Sequence, residues 1–179
     1  FEETLEFPPS PNGERLAIPD RLLFGLFLMV GISYYKAVAP ARLRIESREL
    51  CPHEKAFFEE TYLHGLGEFF FKNNLDPRGR INFIGTSARC PQVVASTLPH
   101  QALVGLGGGK DSLVVADILA ANRHPYWTWS LDQHLGLDQL AQKLTRPYLV
   151  VRRTLDPRLL TLSRAGEVLN GHIPISAIL

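Results

Sequence analysis

A short run of glycines followed by charged and hydroxyl residues is the part of this sequence best suited to chemistry. The run consists of six consecutive residues: Gly107, Gly108, Gly109, Lys110, Asp111 and Ser112. Glycines let backbone amides approach a polyphosphate, and ammonium and hydroxyl groups add further donors. The pattern therefore predicts that these six residues bind phosphate groups.

The spacing in this run excludes two common nucleotide motifs. A Walker loop requires a lysine followed directly by serine or threonine, whereas Lys110 is followed by Asp111. The dinucleotide pattern GxGxxG fits Gly105 and Gly107, but it places Lys110 where a third glycine is needed for helix packing. A different phosphate loop is therefore indicated, and a glycine-rich turn without a ligand is the alternative.

Strand and helix patterns alternate around the run. Apolar residues at 102–106 predict a strand, and the periodicity at 111–122 predicts a helix. The same alternation continues through 127–131, 137–144 and 148–155. This βαβαβ order predicts an α/β fold, with a doubly wound parallel sheet that binds ligands at the carboxyl ends of its strands.

The first hundred residues follow a different, mainly helical pattern. Helices are predicted at 20–38 and 53–73, short strands at 41–46 and 81–84, and a hairpin or irregular arm at 1–18. Proline and small residues at 85–100 indicate a linker. We therefore predict an N-terminal α+β region at 1–99 and a nucleotide-binding domain at 100–179.

Composition bounds the function without identifying it. The 179 residues are 45% hydrophobic and 21% charged, with a net charge of +1, which is typical of a globular protein. So small a charge predicts no binding to nucleic acid or to a membrane surface. The apolar run 22–32 is shorter than the roughly 20 residues that span a bilayer, so it predicts a buried helix.

Cysteines and chain ends complete the sequence-level expectations. Cys51 and Cys90 have neither CxxC nor Cys/His spacing, so neither a disulfide scaffold nor a zinc site is predicted, and a reducing cytoplasm is the expected location.

The chain begins at Phe1 without methionine and ends in the apolar stretch 173–179. We therefore expect a fragment of a longer protein.

The glycine run resembles the SGGKDS-type loop of the ATP pyrophosphatase (PP-loop) superfamily. Five of the six positions match, and Gly107 replaces the usual serine. Four other segments resemble one family within it: 31–37 (GISYYKA), 62–69 (YLHGLGEF), 76–83 (DPRGRINF) and 169–178 (LNGHIPISAI). Together they are similar to the ATP-dependent UDP-N-acetylmuramoyl-L-alanyl-L-glutamate epimerases of bacterial peptidoglycan synthesis.

This resemblance implies a substrate, cofactors and a reaction. The substrate would be UDP-MurNAc-L-Ala-L-Glu, whose terminal L-glutamate becomes D-glutamate while ATP and Mg²⁺ are used and AMP and pyrophosphate are released. Adenylation of a glutamate carboxylate would remove its charge and make the α-carbon acidic. The resemblance also implies an incomplete PP-loop domain within 100–179, because family members continue well beyond residue 179.

Roles for individual residues follow from the resemblance and from side-chain chemistry. Lys110 is predicted to stabilise transition-state charge, His172 to transfer a proton and Asp111 to support the loop or the metal. The predicted substrate contacts are Tyr35, Lys36 and Asn170. A packing role for Tyr35 and a turn role for His172 are the alternatives.

Two other functions fit the same residues. One is another adenylating enzyme of the superfamily, either an amide-forming synthetase or a nucleic-acid thiolation enzyme. The other is a nucleotide-binding module without activity, which the replacement of serine by Gly107 makes plausible. The sequence does not specify an oligomeric state.

Overall fold

The computed structural model describes residues 1–9, 18–85, 89–90, 100–132 and 135–171, apart from the side chain of residue 135. The described chain is a mixed α/β structure. Its strands are β1 (Glu3–Glu6), β2 (Leu43–Arg44), β3 (Phe83–Ile84), β4 (Ala102–Gly105), β5 (Tyr126–Leu131) and β6 (Tyr148–Leu155). Its helices are α1 (Asp20–Val38), α2 (Pro52–Gly65), α3 (Gly67–Lys72), α4 (Lys110–Ala121), α5 (Leu135–Leu144) and α6 (Pro157–Ala165).

The chain forms two compact units that interleave along the sequence. The first unit, called the helical unit below, contains residue 1, residues 18–94 and residues 156–179. The second, called the sheet unit, contains residues 2–17 and 95–155. The division into 1–99 and 100–179 stays a prediction about domains.

A four-stranded sheet forms the centre of the sheet unit. Its strand order is β1-β6-β5-β4, with β4, β5 and β6 parallel and β1 antiparallel to β6. Ala102 pairs with Tyr126 and Thr128 pairs with Tyr148. The parallel sheet predicted from the βαβαβ order is therefore present. Each of its two parallel connections contains a helix, α4 after β4 and α5 after β5.

Helix α4 packs on one face of this sheet. Val104, Tyr126 and Ala116 are buried together, with Leu119 partly buried against them. Val104 and Tyr126 lie on the same face because paired residues in a sheet share a side, whereas Leu103 points to the opposite face. Helix α4 thereby covers one face of the sheet and starts at the carboxyl end of β4.

Strand β1 is a charged edge that the sequence patterns did not predict as a strand. Glu3 points inward, and its carboxylate accepts a hydrogen bond of 2.6 Å from Nε of Arg153 on β6. Both side chains are largely buried. The predicted arm at 1–18 is therefore partly an edge strand, while a hairpin through residues 10–17 lies outside the described residues.

The helical unit is built around an aromatic core. Phe69 and Phe83 are fully buried, and Tyr62 packs edge-on against both Tyr35 and Phe83. The Tyr62 hydroxyl donates a hydrogen bond of 2.6 Å to the carbonyl of Leu28. Burial raises the pKa of this hydroxyl, so Tyr62 joins α1 and α2 as a neutral donor.

Helix α1 is only partly buried, which corrects the prediction from 22–32. Leu28, Ile32 and Tyr35 enter the core, whereas Leu22 and Phe27 are exposed. With 19 residues, α1 is long and apolar enough to cross a membrane by length and composition alone. A single helix of this kind is weak evidence for a membrane span, since core helices and signal sequences meet the same criterion.

The predicted helix at 53–73 is two helices. Helix α2 ends at Gly65 and α3 begins at Gly67, with Leu66 between them. Glycine is a poor helix former because it loses more backbone freedom than other residues. Glycines on both sides of Leu66 therefore interrupt a pattern whose apolar periodicity continues without a break.

Cys51 and Cys90 form a disulfide, which their spacing in the sequence did not indicate. Their Cα atoms lie 5.0 Å apart across 39 residues of sequence. Cys51 precedes α2, and its amide donates to the Glu54 carboxylate at 3.0 Å. Spacing could not show a pairing made by the tertiary fold. Disulfides are rare in a reducing cytoplasm, so this bond counts against the expected cytoplasmic location, which stays a prediction.

Candidate functional site

The predicted phosphate loop connects β4 to α4 in the sheet unit. The last residue of β4 is Gly105, and α4 begins at Lys110. Leu106 is buried, and its amide donates a 2.7 Å hydrogen bond to the carbonyl of Trp129. This bond fixes the start of the loop at the carboxyl end of the sheet, where parallel α/β folds bind ligands.

The glycines of the segment serve different purposes. A Cβ atom on Gly105 would lie 3.3 Å from Nε1 of Trp129, and Gly108 adopts a positive φ of 76°. These two positions therefore favour glycine for packing and for backbone conformation. Gly107 and Gly109 would place a Cβ in open space, so their backbone is accessible to a ligand.

The amino terminus of α4 faces this open backbone. Gly109 is the N-cap and offers no side-chain oxygen to the first amides of the helix. The Ser112 hydroxyl donates to the carbonyl of Gly109 at 3.0 Å. Unsatisfied amides and the positive end of the helix dipole together attract an anion. An anion placed at this terminus would therefore be stabilised, and phosphate binding by the loop stays a prediction.

Lys110 and Asp111 are both exposed at the mouth of the loop. Their side chains pair with each other at 3.0 Å, with exposed fractions of 87% and 89%. An exposed ion pair of this kind contributes little stability, because solvent screens it and both side chains lose entropy. Lys110 can therefore leave Asp111 for a bound anion at small cost.

No group of three or more His, Cys, Asp or Glu side chains that could hold a metal occurs within the described ranges. Asp111 supplies one carboxylate at the loop. Magnesium in nucleotide sites commonly combines one or two carboxylates with phosphate oxygens and water. A lone Asp111 is compatible with that arrangement, and its role in metal binding stays a prediction.

Asp132 is a candidate ligand-binding residue that the sequence patterns did not indicate. It directly follows β5 at the carboxyl end of the sheet and has a positive φ of 60°. Its carboxylate accepts a 2.6 Å hydrogen bond from the amide of Arg153. Unusual backbone angles cluster at ligand sites. The available signal was its position immediately after the apolar strand YWTWSL.

Two of the predicted substrate residues, Lys36 and Asn170, lie in the same part of the helical unit. The Lys36 ammonium donates to the carbonyl of Gly171 at 3.0 Å, and the Asn73 side chain donates to the carbonyl of Asn170 at 2.9 Å. The Leu169 amide donates to the carbonyl of Ala37 at 2.9 Å. Residues 169–171 are thus held against the end of α1, with Asn170 exposed beside Lys36.

Gly171 packs tightly against α3. A Cβ atom at this position would lie 3.2 Å from the Cα of Phe69 and 3.1 Å from its ring. The backbone at 171 can approach the helix this closely only because glycine has no side chain. The Asn-Gly pair is therefore fixed by packing as well as by the hydrogen bonds from Lys36 and Asn73.

Tyr35 is a core residue, which favours the packing alternative, and its predicted contact with substrate stays a prediction. It is 4% exposed, and its hydroxyl donates to the carbonyl of Arg80 at 3.4 Å. Burial raises the pKa of this hydroxyl, and the nearby Arg80 guanidinium partly offsets the rise. Packing thus accounts for Tyr35. His172 lies outside the described residues, and its catalytic role stays a prediction.

The chain matches one protein family over its whole length. The family model described as the MurL N-terminal domain matches residues 1–179. A protein from Xanthomonas oryzae pv. oryzae named UDP-N-acetyl-alpha-D-muramoyl-L-alanyl-L-glutamate epimerase is 36% identical, over 98% of this chain and 40% of its own length. A Salinispora tropica protein of the same name is 34% identical, over 98% of this chain and 38% of its own.

These curated relatives are much longer than the chain. The chain spans about two fifths of the length of each. No solved structure matches it.

Proposed function

The chain belongs to the MurL N-terminal domain family, and on that basis we propose that it is part of a peptidoglycan-precursor epimerase. The proposed reaction converts the terminal L-glutamate of UDP-MurNAc-L-Ala-L-Glu to D-glutamate. Support comes from the names of the curated relatives, which span this chain almost completely. Because the chain covers two fifths of those proteins, the reaction is proposed for the full-length enzyme.

The loop at 107–112 is the observation that carries the proposed use of ATP. Its open glycine backbone, the uncapped start of α4 and the exposed Lys110 ammonium together suit a polyphosphate. We assign the glycine amides and Ser112 to the phosphates of ATP and Lys110 to the charge that develops as pyrophosphate leaves. The sheet unit would then be the PP-loop domain, or part of it.

The chemistry of the substrate explains why ATP is needed. The glutamate nitrogen is held in an amide, so it cannot form an imine, and an ionised carboxylate disfavours loss of the α-proton. Attack of a carboxylate oxygen on the α-phosphorus of ATP forms an acyl-adenylate and releases pyrophosphate. A base then removes the α-proton, an acid returns a proton to the opposite face, and water releases AMP.

The described side chains supply only part of this mechanism. Magnesium, bound to phosphate oxygens with help from Asp111, would offset negative charge on the leaving group. His172 is proposed for proton transfer, since imidazole titrates near neutral pH. Lys36, which is partly buried, and Asn170, which is exposed, stay proposed contacts to the substrate. The burial of Tyr35 favours a packing role for that residue.

The test is turnover of UDP-MurNAc-L-Ala-L-Glu by the full-length protein in deuterated water with ATP and Mg²⁺. We expect D-glutamate that carries deuterium at the α-carbon, together with AMP and pyrophosphate. Omission of the muramoyl dipeptide is the control and should abolish AMP formation. AMP formed only with another acceptor would sink the substrate assignment, and ATP binding without cleavage would favour an inactive module.

The pairing of Cys51 with Cys90 is the one observation that favours a thiolation enzyme instead, since such enzymes use paired cysteines. Cys51 is buried beside α2 and is bonded to Cys90, as a structural disulfide would be. We therefore predict that full-length protein with Cys51→Ser and Cys90→Ser forms AMP within about twofold of the normal rate at 25 °C. Without the crosslink, the unfolded chain gains conformational entropy over a 39-residue loop. The double variant should therefore be less stable by about 2–4 kcal/mol.

The control for this prediction is the parent protein treated with a thiol reductant, which should show the same loss of stability. AMP formation and thermal unfolding are measured on the same samples. Loss of AMP formation in a serine variant that remains folded at the assay temperature would contradict a structural role and revive the thiolation alternative.

A further inference from the structure

Strand β4 has an open edge in the described part of the chain. Its amides at 102, 104 and 106 face β5, as the hydrogen bonds from Ala102 to Pro125 and from Leu106 to Trp129 show. By the alternation of a strand, the amides and carbonyls of Leu103 and Gly105 point the other way. No described strand pairs with them there.

The two edges of the sheet differ in composition. The β1 edge carries two glutamates in four residues, and Glu3 points inward to Arg153, which are devices that protect a free edge from pairing. The β4 edge reads Ala-Leu-Val-Gly and contains neither a charge nor a proline. Strand β1 is therefore built as an outer edge, and β4 is not.

Exposed apolar side chains lie near this edge on both sides of the sheet: Leu103 on the face opposite α4, and three others on α4 itself. Leu103 is 59% exposed. Val114 and Val115 precede Ile118 on α4 by four and three residues, and about half of each of the three residues is exposed. Residues at this spacing share one face of a helix, and α4 buries Ala116 and Leu119 on its sheet-facing side. The exposed stripe is thus a second apolar face with no described partner.

We propose that the open β4 edge is the docking site for the portion of the full-length protein that follows residue 179, and that other elements of this portion cover Leu103 on one side of the sheet and the α4 stripe on the other. That portion adds a strand beside β4. The matching family model describes an N-terminal domain, and the chain covers about 40% of its curated relatives. The additional polypeptide is therefore long enough to supply the strand and a covering element for each side of the sheet.

The added strand would change the position of the phosphate loop within the sheet. In doubly wound sheets, ligands bind between two neighbouring strands whose following connections run in opposite directions along the sheet. The connections of β4 and β5 run one way, toward β6. A strand on the other side of β4 would create that crevice at Gly107. This consequence rests on the proposed nucleotide binding, whereas the docking itself does not.

The experiment uses full-length protein in which Leu103 is replaced by the photo-crosslinker p-benzoylphenylalanine, with a second variant carrying it at Val115. Irradiation should join each probe to a peptide beyond residue 179 of the same chain. Mixing normal and ¹⁵N-labelled protein separates crosslinks within a chain from those between copies. Gln142, exposed on α5, is the control position and should give no such crosslink.

Hydrogen exchange on unmodified full-length protein gives an independent measurement. The amides of Leu103 and Gly105 should exchange more than about 100-fold more slowly than unprotected amides. Crosslinks between copies would replace the proposal with a dimer interface, and crosslinks confined to residues 1–179 would refute it. Absence of crosslinks together with fast exchange would also refute it. Neither readout requires ATP or substrate, so its failure is distinct from failure of the proposed function.

Discussion

Full-length protein with Lys110→Ala should form AMP about 100- to 1,000-fold more slowly than the parent, with an unchanged Tm. Lys110 is proposed to stabilise charge on the leaving pyrophosphate, and loss of one such donor has an effect of this order. Its side chain is 87% exposed, and its described interaction is the ion pair with Asp111. Removal of an exposed ion pair costs little stability.

The matched control is Lys143→Ala, which removes an exposed lysine from α5 in the same unit. AMP formation is measured at saturating ATP and substrate, and thermal unfolding is measured beside it. A Lys110→Arg variant should recover only part of the rate, since a planar guanidinium does not reproduce a compact ammonium. An unchanged rate in Lys110→Ala would remove this residue from the mechanism.

The loop around Lys110 was predictable from sequence because its signals are local. An apolar strand, a glycine run and a helix start occupy twenty consecutive residues, 102–121. The structure confirms the strand, the loop and the helix in that order. What local patterns could not supply is the reason for Gly105, since the indole of Trp129 that it accommodates lies on the neighbouring strand.

Contacts between distant segments explain the errors. The Cys51–Cys90 pair closes 39 residues, and the Lys36–Gly171 hydrogen bond joins residues 135 apart. Strand β1 likewise needs β6 as its partner, almost 150 residues later. Periodicity within a segment contains no information about such pairings. Tyr35 shows the related difficulty, because an aromatic residue near a motif can belong to the core or to a site.

The aromatic core provides the second large prediction, a comparison within α3. Full-length protein with Phe69→Ala should lose about 3–5 kcal/mol of stability in the helical unit, because a buried phenylalanine leaves a cavity when it is removed. Phe71→Ala should change stability by no more than about 0.5 kcal/mol. Phe69 has no exposed surface, whereas Phe71, two residues later, is 87% exposed.

The measurement for this comparison must report on the helical unit alone, since a protein with two compact units need not unfold in one step. Hydrogen exchange of α2 amides meets this requirement, because Phe58 and Tyr62 on α2 share the core with Phe69. A loss of 3 kcal/mol corresponds to roughly 150-fold faster exchange through unfolding. Exchange at 169–171 should also accelerate, because Gly171 packs on Phe69. Equal effects of the two substitutions would show that α3 is buried differently in the full-length protein.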